Sequence, residues 1–198
     1  CDFLASVTVN DRFPFDKVSD LRFEHWLSSA DGIAYEGNNM PSGVAATYTS
    51  IMPGEPNRVY RCGTCEWVID DAKALTVRPI ADTGSGTLTD WTTGSYYGAP
   101  WSELPIVSAS FEDAVKIPCP RGLFSGCSSL ESVDLTGLDT TGVKDMSGMF
   151  SGCSSLKAVD VSDLDTSKVT SFQGMFQSCS TLESLDLSNF DTSKATQM

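Results

Sequence analysis

The sequence contains 198 residues, of which 40% are hydrophobic and 20% are charged, a composition typical of a folded globular chain. Its formal net charge of -13 argues against nucleic-acid binding, because that function needs a basic face to neutralise phosphates. No apolar run reaches the length of about 18 residues that a transmembrane helix needs, so we expect no membrane insertion of this segment. A protein partner with a basic surface is compatible with the charge, and the oligomeric state stays open.

Residues 1–60 form an N-terminal region whose fold the sequence does not identify. Its pattern predicts strands near Leu4–Asn10 and Val44–Met52 and a helix around Val18–Ser28. His25 is the only histidine, so a Ser-His-Asp triad would need His25 itself as the base. No paired catalytic motif accompanies it, and we therefore expect a protein that is not an enzyme.

Residues 61–105 are predicted to form a β segment that caps the rest of the chain. Cys65–Asp70 and Ala74–Arg78 flank a short polar turn, which predicts a hairpin. Cys62 and Cys65 have the spacing of a redox dithiol or of half a zinc site. A zinc site needs a second ligand pair, and a redox dithiol needs a helix N-terminus, so a structural disulfide or two packed thiols is favoured. No metal or cofactor is predicted.

Residues 106–198 contain a repeat with a strict period of 26 residues. Gly122–Leu130 returns as Gly148–Leu156 and again as Gly174–Leu182, with Phe, Cys and Leu at the same positions. Each unit is predicted to be strand, turn, helix and turn. Because one unit cannot bury its own apolar residues, we expect the units to stack as a leucine-rich-repeat-type solenoid, an α+β repeat fold capped by a β-rich region.

The hydrophobic period changes within each unit. The strand is predicted from an L-x-x-L-x-L spacing at Leu156, Val159 and Val161. A short amphipathic helix is predicted from the next apolar stripe, at Val169, Phe172, Met175 and Phe176. Asp165 precedes that stripe, and its carboxylate is expected to cap the helix. The predicted repeat core consists of equivalent residues in the three units: Cys127, Cys153, Cys179, Leu130, Leu156, Leu182, Phe150 and Phe176.

Two groups of residues are candidate binding surfaces. Asp134, Asp160 and Asp186 are predicted to project from the concave face of the stacked strands. Small polar residues flank them: Ser132, Ser184, Thr136, Ser162 and Ser188. Either hydroxyl groups and water supply the hydrogen bonds of these aspartates, or the aspartates bind a partner with a basic surface. A calcium ion is a less suitable ligand, because it needs about six to eight oxygen ligands from a shaped loop and the predicted strand face is flat. The second group consists of aromatic residues in the capping segment: Trp91, Tyr96, Tyr97 and Trp101.

Met149–Leu156, together with Val159–Ser162 and Asp165–Val169, resembles the BspA-like leucine-rich-repeat surface proteins of bacteria. Gly63–Asp70 resembles the β segment that precedes the repeats in that family. The resemblance implies secretion or display on the bacterial envelope and adhesion to host or neighbouring-cell proteins, with no catalytic residues. The alternative is a rigid repeat spacer that presents another domain. Family members usually carry more than three repeats, so we expect the solenoid to continue past Met198.

Overall fold

The computed structural model describes residues 6–9, 25–28, 34–36, 46–51, 56–80, 84–88, 90, 99–102, 104–112 and 114–198, with the first four ranges described as backbone strands. Within these residues the secondary structure consists of twelve strands and no helix. The strands are β1 (Ser6–Val9), β2 (His25–Ser28), β3 (Ala34–Glu36), β4 (Ala46–Ile51), β5 (Tyr60–Cys62), β6 (Cys65–Ile69), β7 (Ala74–Pro79), β8 (Ser85–Thr87), β9 (Ser108–Phe111), β10 (Ala114–Lys116), β11 (Ser132–Asp134) and β12 (Leu138–Asp139).

Nine of the described strands form one sheet, in the order β1-β4-β2-β3-β5-β6-β7-β9-β11. β6 and β7 are antiparallel, with Trp67 opposite Val77, which confirms the predicted hairpin. β7, β9 and β11 pair in parallel, so that Ala109 lies between Leu75 and Val133. The predicted region boundaries at residues 60 and 105 both fall inside this sheet, since β3 pairs with β5 and β7 with β9. A second, parallel sheet has the order β12-β10-β8.

The strands predicted in the N-terminal region are confirmed by β1 and β4, which pair with each other in antiparallel register. The helix predicted around Val18–Ser28 is wrong at its C-terminal end, because β2 pairs with both β3 and β4 as a strand. Residues 18–24 of that prediction lie outside the described residues.

The repeat region is built from three coils, which we call coil 1 (121–146), coil 2 (147–172) and coil 3 (173–198). Their secondary structure corrects the predicted fold class, because the coils contain turns, β11, β12 and isolated bridges, but no helix. The strand–turn–helix unit, and with it the leucine-rich-repeat solenoid and its α+β class, is wrong for the described residues. The strand predicted at Leu156–Val161 is also absent. Two parallel bridges at a different position of the repeat, Asp145 with Ser171 and Ser171 with Gln197, join the three coils.

The segment predicted as a helix is a series of turns. Val169, Phe172 and Met175 recur every third residue, and all three are buried. The N–H of Val169 donates to Thr166 O at 3.0 Å, and that of Met175 donates to Phe172 O at 3.0 Å. These are bonds to the carbonyl three residues back, whereas an α-helix uses the carbonyl four residues back. An apolar spacing of three residues therefore belongs to consecutive turns here.

Glycines at positive φ prevent the turns from becoming a helix. Gly148 and Gly152 have φ angles of 62° and 81°, a left-handed conformation that a right-handed α-helix cannot contain. The N–H groups of Gly148, Phe150 and Gly152 donate to carbonyl oxygens of coil 3 at 2.8 to 3.0 Å. Coil 1 makes the same bonds to coil 2 from the equivalent positions: Gly122, Phe124 and Gly126. Every second N–H in this segment thus donates to a carbonyl oxygen of the next coil and not to one of its own coil.

Stacking buries the predicted repeat core, most completely in the first two coils. Five of its members are fully buried: Cys127, Leu130, Phe150, Cys153 and Leu156. The equivalent residues of coil 3 are partly buried: Phe176, Cys179 and Leu182. The phenylalanine rings stack along the coils, with centroids 5.6 Å apart for Phe124 and Phe150 and 5.5 Å apart for Phe150 and Phe176.

Candidate binding surface

The aspartate column, which we define as Asp134, Asp160 and Asp186, lies on the surface at one position of each coil, and all three side chains are exposed. In each coil the Oδ1 atom accepts the backbone N–H of the residue two places ahead, at 3.0, 3.0 and 2.9 Å respectively. In coil 1 the Thr136 hydroxyl donates to the same oxygen at 2.8 Å. Within the described part of the chain, the second carboxylate oxygen of each residue has no hydrogen bond.

Hydrogen bonds keep the aspartate column ionised. The backbone N–H and then the hydroxyl of Thr136 lower the pKa of Asp134. Ser162 does the same for Asp160, with its hydroxyl as the larger cause. The pKa of Asp186 is lowered by the N–H and hydroxyl of Ser188, and the charge of Asp160 opposes this to a smaller extent. A backbone N–H and a hydroxyl from the residue two places ahead therefore favour the ionised form of each of these aspartates.

The other predicted flanking residues, Ser132 and Ser184, are also exposed. Together with Thr136, Ser162 and Ser188 they surround the aspartate column with short polar side chains. The predicted site thus consists of exposed carboxylates and short polar side chains.

A second row of aspartates has a different electrostatic environment. Asp139, Asp165 and Asp191 also accept the N–H two residues ahead, at 2.8, 3.0 and 2.9 Å. The hydroxyl and N–H groups of the residues two places ahead are the main reason that the pKa of each aspartate is lowered; these residues are Thr141, Ser167 and Ser193. Here lysines lower the pKa further: Lys116 beside Asp139, Lys168 and Lys194 beside Asp165, and Lys194 beside Asp191. This row is therefore partly neutralised by the chain itself.

The aromatic group predicted as a second surface does not form one among the described residues. Trp91, Tyr96 and Tyr97 lie outside them. Trp101 is fully buried, and its Nε1 donates to the carbonyl oxygen of Leu123 at 3.0 Å. Its ring packs edge-on against Trp67, with centroids 5.8 Å apart. The structure thus places Trp101 in the core, where it joins the β segment to coil 1.

The cysteines of the β segment are packed thiols. Cys62 and Cys65 lie opposite each other at the β5–β6 turn, and both are fully buried thiols that form no disulfide. Burial raises the pKa of Cys65 to about 11, so this thiol is protonated and a poor nucleophile at neutral pH. A Cβ placed on Gly86 would lie 2.6 Å from the Cys65 sulfur, so only glycine fits beside it.

Two buried threonines have a role that the sequence did not reveal. The N–H of Asp165 donates to Thr140 Oγ1 at 2.8 Å, and the N–H of Asp191 donates to Thr166 Oγ1 at 2.8 Å. Thr140 and Thr166 are only 2% and 3% exposed. The available signal was an Asp-Thr pair that recurs in each unit, at residues 139–140, 165–166 and 191–192, of which Asp165 was interpreted as a helix cap. The threonine of each of the first two pairs instead accepts a hydrogen bond from the aspartate N–H of the following coil, and this bond joins successive coils.

The described residues contain no group of three or more His, Cys, Asp or Glu side chains placed to hold a metal ion. They also contain no helix with the length and apolar character needed to cross a membrane.

Comparison with protein families shows a similarity in the repeat region. Residues 121–198 match a family model described as "Mycoplasma protein of unknown function, DUF285". The match begins at the first residue of coil 1 and includes all three coils, which is less than half of the chain. No curated protein and no solved structure matches the chain. The matched family gives no support to BspA-like membership, adhesion or secretion. The described residues contain no helix, which contradicts the leucine-rich-repeat architecture that suggested these properties.

Proposed function

We propose that this chain binds a protein partner with a basic surface, and that the aspartate column is the contact. The observation that carries the proposal is the contrast between the two rows of aspartates. Hydrogen bonds lower the pKa of both rows, but nearby lysines contribute only in the row of Asp139, Asp165 and Asp191. The charge of the aspartate column has no such compensation among the described residues and is available to a partner.

The carboxylates of the column are held in place before a partner arrives. One oxygen of each is fixed by a backbone N–H, so the other oxygen has a defined direction. Hydrogen-bonded neighbouring chains lie about 4.8 Å apart, and like charges at such a spacing repel each other. Lysine or arginine side chains of a partner would relieve this repulsion. Contacts of this type mainly increase association rate and specificity, and salt weakens them.

The test compares two triple variants that remove the same number of charges. The first is Asp134→Asn, Asp160→Asn and Asp186→Asn. An asparagine oxygen still accepts the N–H two residues ahead, so the turns are kept while the charge is lost. The matched control is Asp139→Asn, Asp165→Asn and Asp191→Asn, which makes the same change in the second row. Binding is measured by surface plasmon resonance on immobilised poly-lysine and a panel of basic proteins, at low and physiological ionic strength.

The proposal predicts salt-sensitive binding that falls about tenfold or more in the first variant and much less in the control. Equal losses in both variants would mean that only net charge matters, and the aspartate column would not be a site. Unchanged binding in the first variant would place the contact elsewhere on the chain.

A rigid spacer is the second candidate function. It is favoured by the uniform, small side chains around the aspartate column, because binding surfaces are usually centred on aromatic or arginine residues. A spacer predicts that no basic protein binds and that both triple variants behave like the wild type.

A further inference from the structure

The aspartate column continues as an uncharged row across the large sheet. Strand register places Asp134 beside Ser110 of β9 and Ser110 beside Thr76 of β7. Thr76 in turn pairs with Val68 of β6. Directly paired residues point to the same face of a sheet, so these side chains share one face with Asp134. We call the whole row the docking line, which from coil 3 to β6 consists of Asp186, Asp160, Asp134, Ser110, Thr76 and Val68.

The docking line lies on the face of the sheet that points away from the core. Ser110, Thr76 and Val68 are partly exposed, and each lies between two buried neighbours in its strand. Those neighbours are Ala109 and Phe111, Leu75 and Val77, and Trp67 and Ile69. The line therefore has an exposed, charged half on the coils and a partly exposed, uncharged half on the sheet, with an apolar side chain at its far end.

An ion pair borders the uncharged half on one side. Arg78 and Glu66 pair across β7 and β6, two residues along the strands from the docking line, with Nε and Oε1 2.8 Å apart. Their charges offset each other. The exposed Glu112 follows β9, on the aspartate side of this pair, so the excess of negative charge ends between β9 and β7. On the other side of the line the paired positions carry short side chains: Ala74, Ser108 and Ser132.

We propose that the docking line binds an extended segment of the basic protein partner, with lysine or arginine residues on the aspartates and an apolar residue over Val68. This inference rests on the proposed function, because the charged half of the line is the contact assigned there. A cation placed over the uncharged half would lose water without gaining a carboxylate, whereas an apolar residue gains by covering Val68. The change of charge along the line thus sets the direction of the segment, with its basic end towards coil 3.

The experiment uses two synthetic peptides that are long enough to follow the line. Neighbouring positions lie about 4.8 Å apart, so the line is roughly 24 Å long, and an extended segment of about seven residues covers it. The first peptide, blocked at both ends, has three lysines, three serines and a leucine in this order; the second has serine in place of leucine. Titration calorimetry with the whole chain at low ionic strength should show about fivefold tighter binding of the leucine peptide. In NMR spectra of the labelled chain, the leucine peptide should shift the amide signals of Thr76 and Val68.

Variants of the sheet test the uncharged half directly. Thr76→Arg places a long, charged side chain in the middle of this half and should remove the advantage of the leucine peptide. Thr87→Arg adds the same charge at an exposed position of the second sheet, so it is the matched control and should keep the advantage. Val68→Thr retains the shape of the side chain and should reduce the advantage, which keeps the test valid if Thr76→Arg does not fold.

The outcomes separate this inference from the proposed function. Equal binding of the two peptides, with NMR shifts confined to the aspartates and their neighbours, overturns the docking line but keeps the aspartate column as a contact. A leucine advantage that persists in Thr76→Arg and Val68→Thr places the apolar contact elsewhere and also overturns the docking line. If neither peptide binds at low ionic strength, the aspartate column is not a contact, and the inference fails with it.

Discussion

The thiol of Cys153 donates a hydrogen bond to the carbonyl oxygen of Phe124 in the preceding coil, with the two atoms 3.2 Å apart. Cys179 makes the same contact with Phe150 at 3.1 Å. Burial first, and then the neighbouring Cys127 and Cys179, raise the pKa of Cys153, so the thiol stays protonated. The repeated cysteines are thus donors that join successive coils, in agreement with their predicted role in packing.

Replacing Cys153 with Ala should lower the free energy of unfolding by about 1–2 kcal/mol, because the contact with Phe124 is lost and a small cavity remains. Cys119→Ala is the control, since Cys119 is less buried and its sulfur lies 3.6 Å from Asp145 O. Its effect should stay below about 0.5 kcal/mol. Urea unfolding of both variants measures the difference, and equal losses would contradict the assigned role.

The stability of the wild-type protein should fall as the pH rises above 9. In the unfolded chain the thiols have pKa values near 9.0, whereas burial raises that of Cys65 to about 11 and also raises those of Cys153 and Cys179. Above pH 9 the unfolded state therefore binds fewer protons than the folded state, and stability decreases with pH; below it these thiols contribute no slope. Unfolding free energies between pH 8 and about 11 should fall less steeply in Cys153→Ala. Identical slopes would count against buried, protonated thiols.

A pair of opposite substitutions tests the left-handed backbone positions. Ser178 has a φ of 61° where coils 1 and 2 have Gly126 and Gly152, with φ angles of 78° and 81°. Ser178→Gly should therefore stabilise the protein by roughly 0.5–1 kcal/mol, because the side chain no longer strains the backbone. Gly152→Ser should destabilise it by about 1–2 kcal/mol for the same reason. Thermal unfolding would show shifts of opposite sign, and shifts of the same sign would refute the conformation.

Thr140→Val should destabilise the protein by about 1–3 kcal/mol, because the N–H of Asp165 loses its acceptor, the hydroxyl of the buried Thr140, while the side-chain volume is kept. Thr192→Val is the matched control. Thr192 occupies the equivalent position in coil 3 and is exposed, so its replacement should change the unfolding free energy by less than about 0.5 kcal/mol. Chemical denaturation of both variants provides the comparison. A cost for Thr192→Val equal to that for Thr140→Val would mean that the intercoil bond is not the cause.

The sequence was sufficient for the hairpin, for the period of the repeat and for the residues that fill its core. It was insufficient for the helix, because Val169, Phe172 and Met175 fit both a helical stripe and a series of three-residue turns. The distinguishing signal was the pair Gly148 and Gly152, which place positive φ angles four residues apart. A glycine pair of this kind in an apolar stripe favours turns that bond to a neighbouring coil.

The candidate surface was partly predictable for a related reason. Strand alternation was enough to place Asp134 on the surface, whereas its fixed orientation depends on the N–H of Thr136, a local turn that the strand prediction did not include. The burial of Trp101 could not be predicted, because it results from a contact with Leu123, 22 residues away in sequence. Contacts between coils decide which residues are buried in the core, and the periodicity within one unit does not contain that information.

Hydrogen-bond scalar couplings measured by NMR on labelled protein test the central structural claim most directly. The coil arrangement predicts a coupling between the amide nitrogen of Phe150 and the carbonyl carbon of Met175, whose oxygen accepts this N–H at 2.8 Å. It predicts the same pattern for Gly148 with Gln173 and for Gly152 with Gln177. A coupling from Phe150 to Met146, four residues earlier, would instead show an α-helix. That result would contradict the stacked coils and the surfaces derived from them.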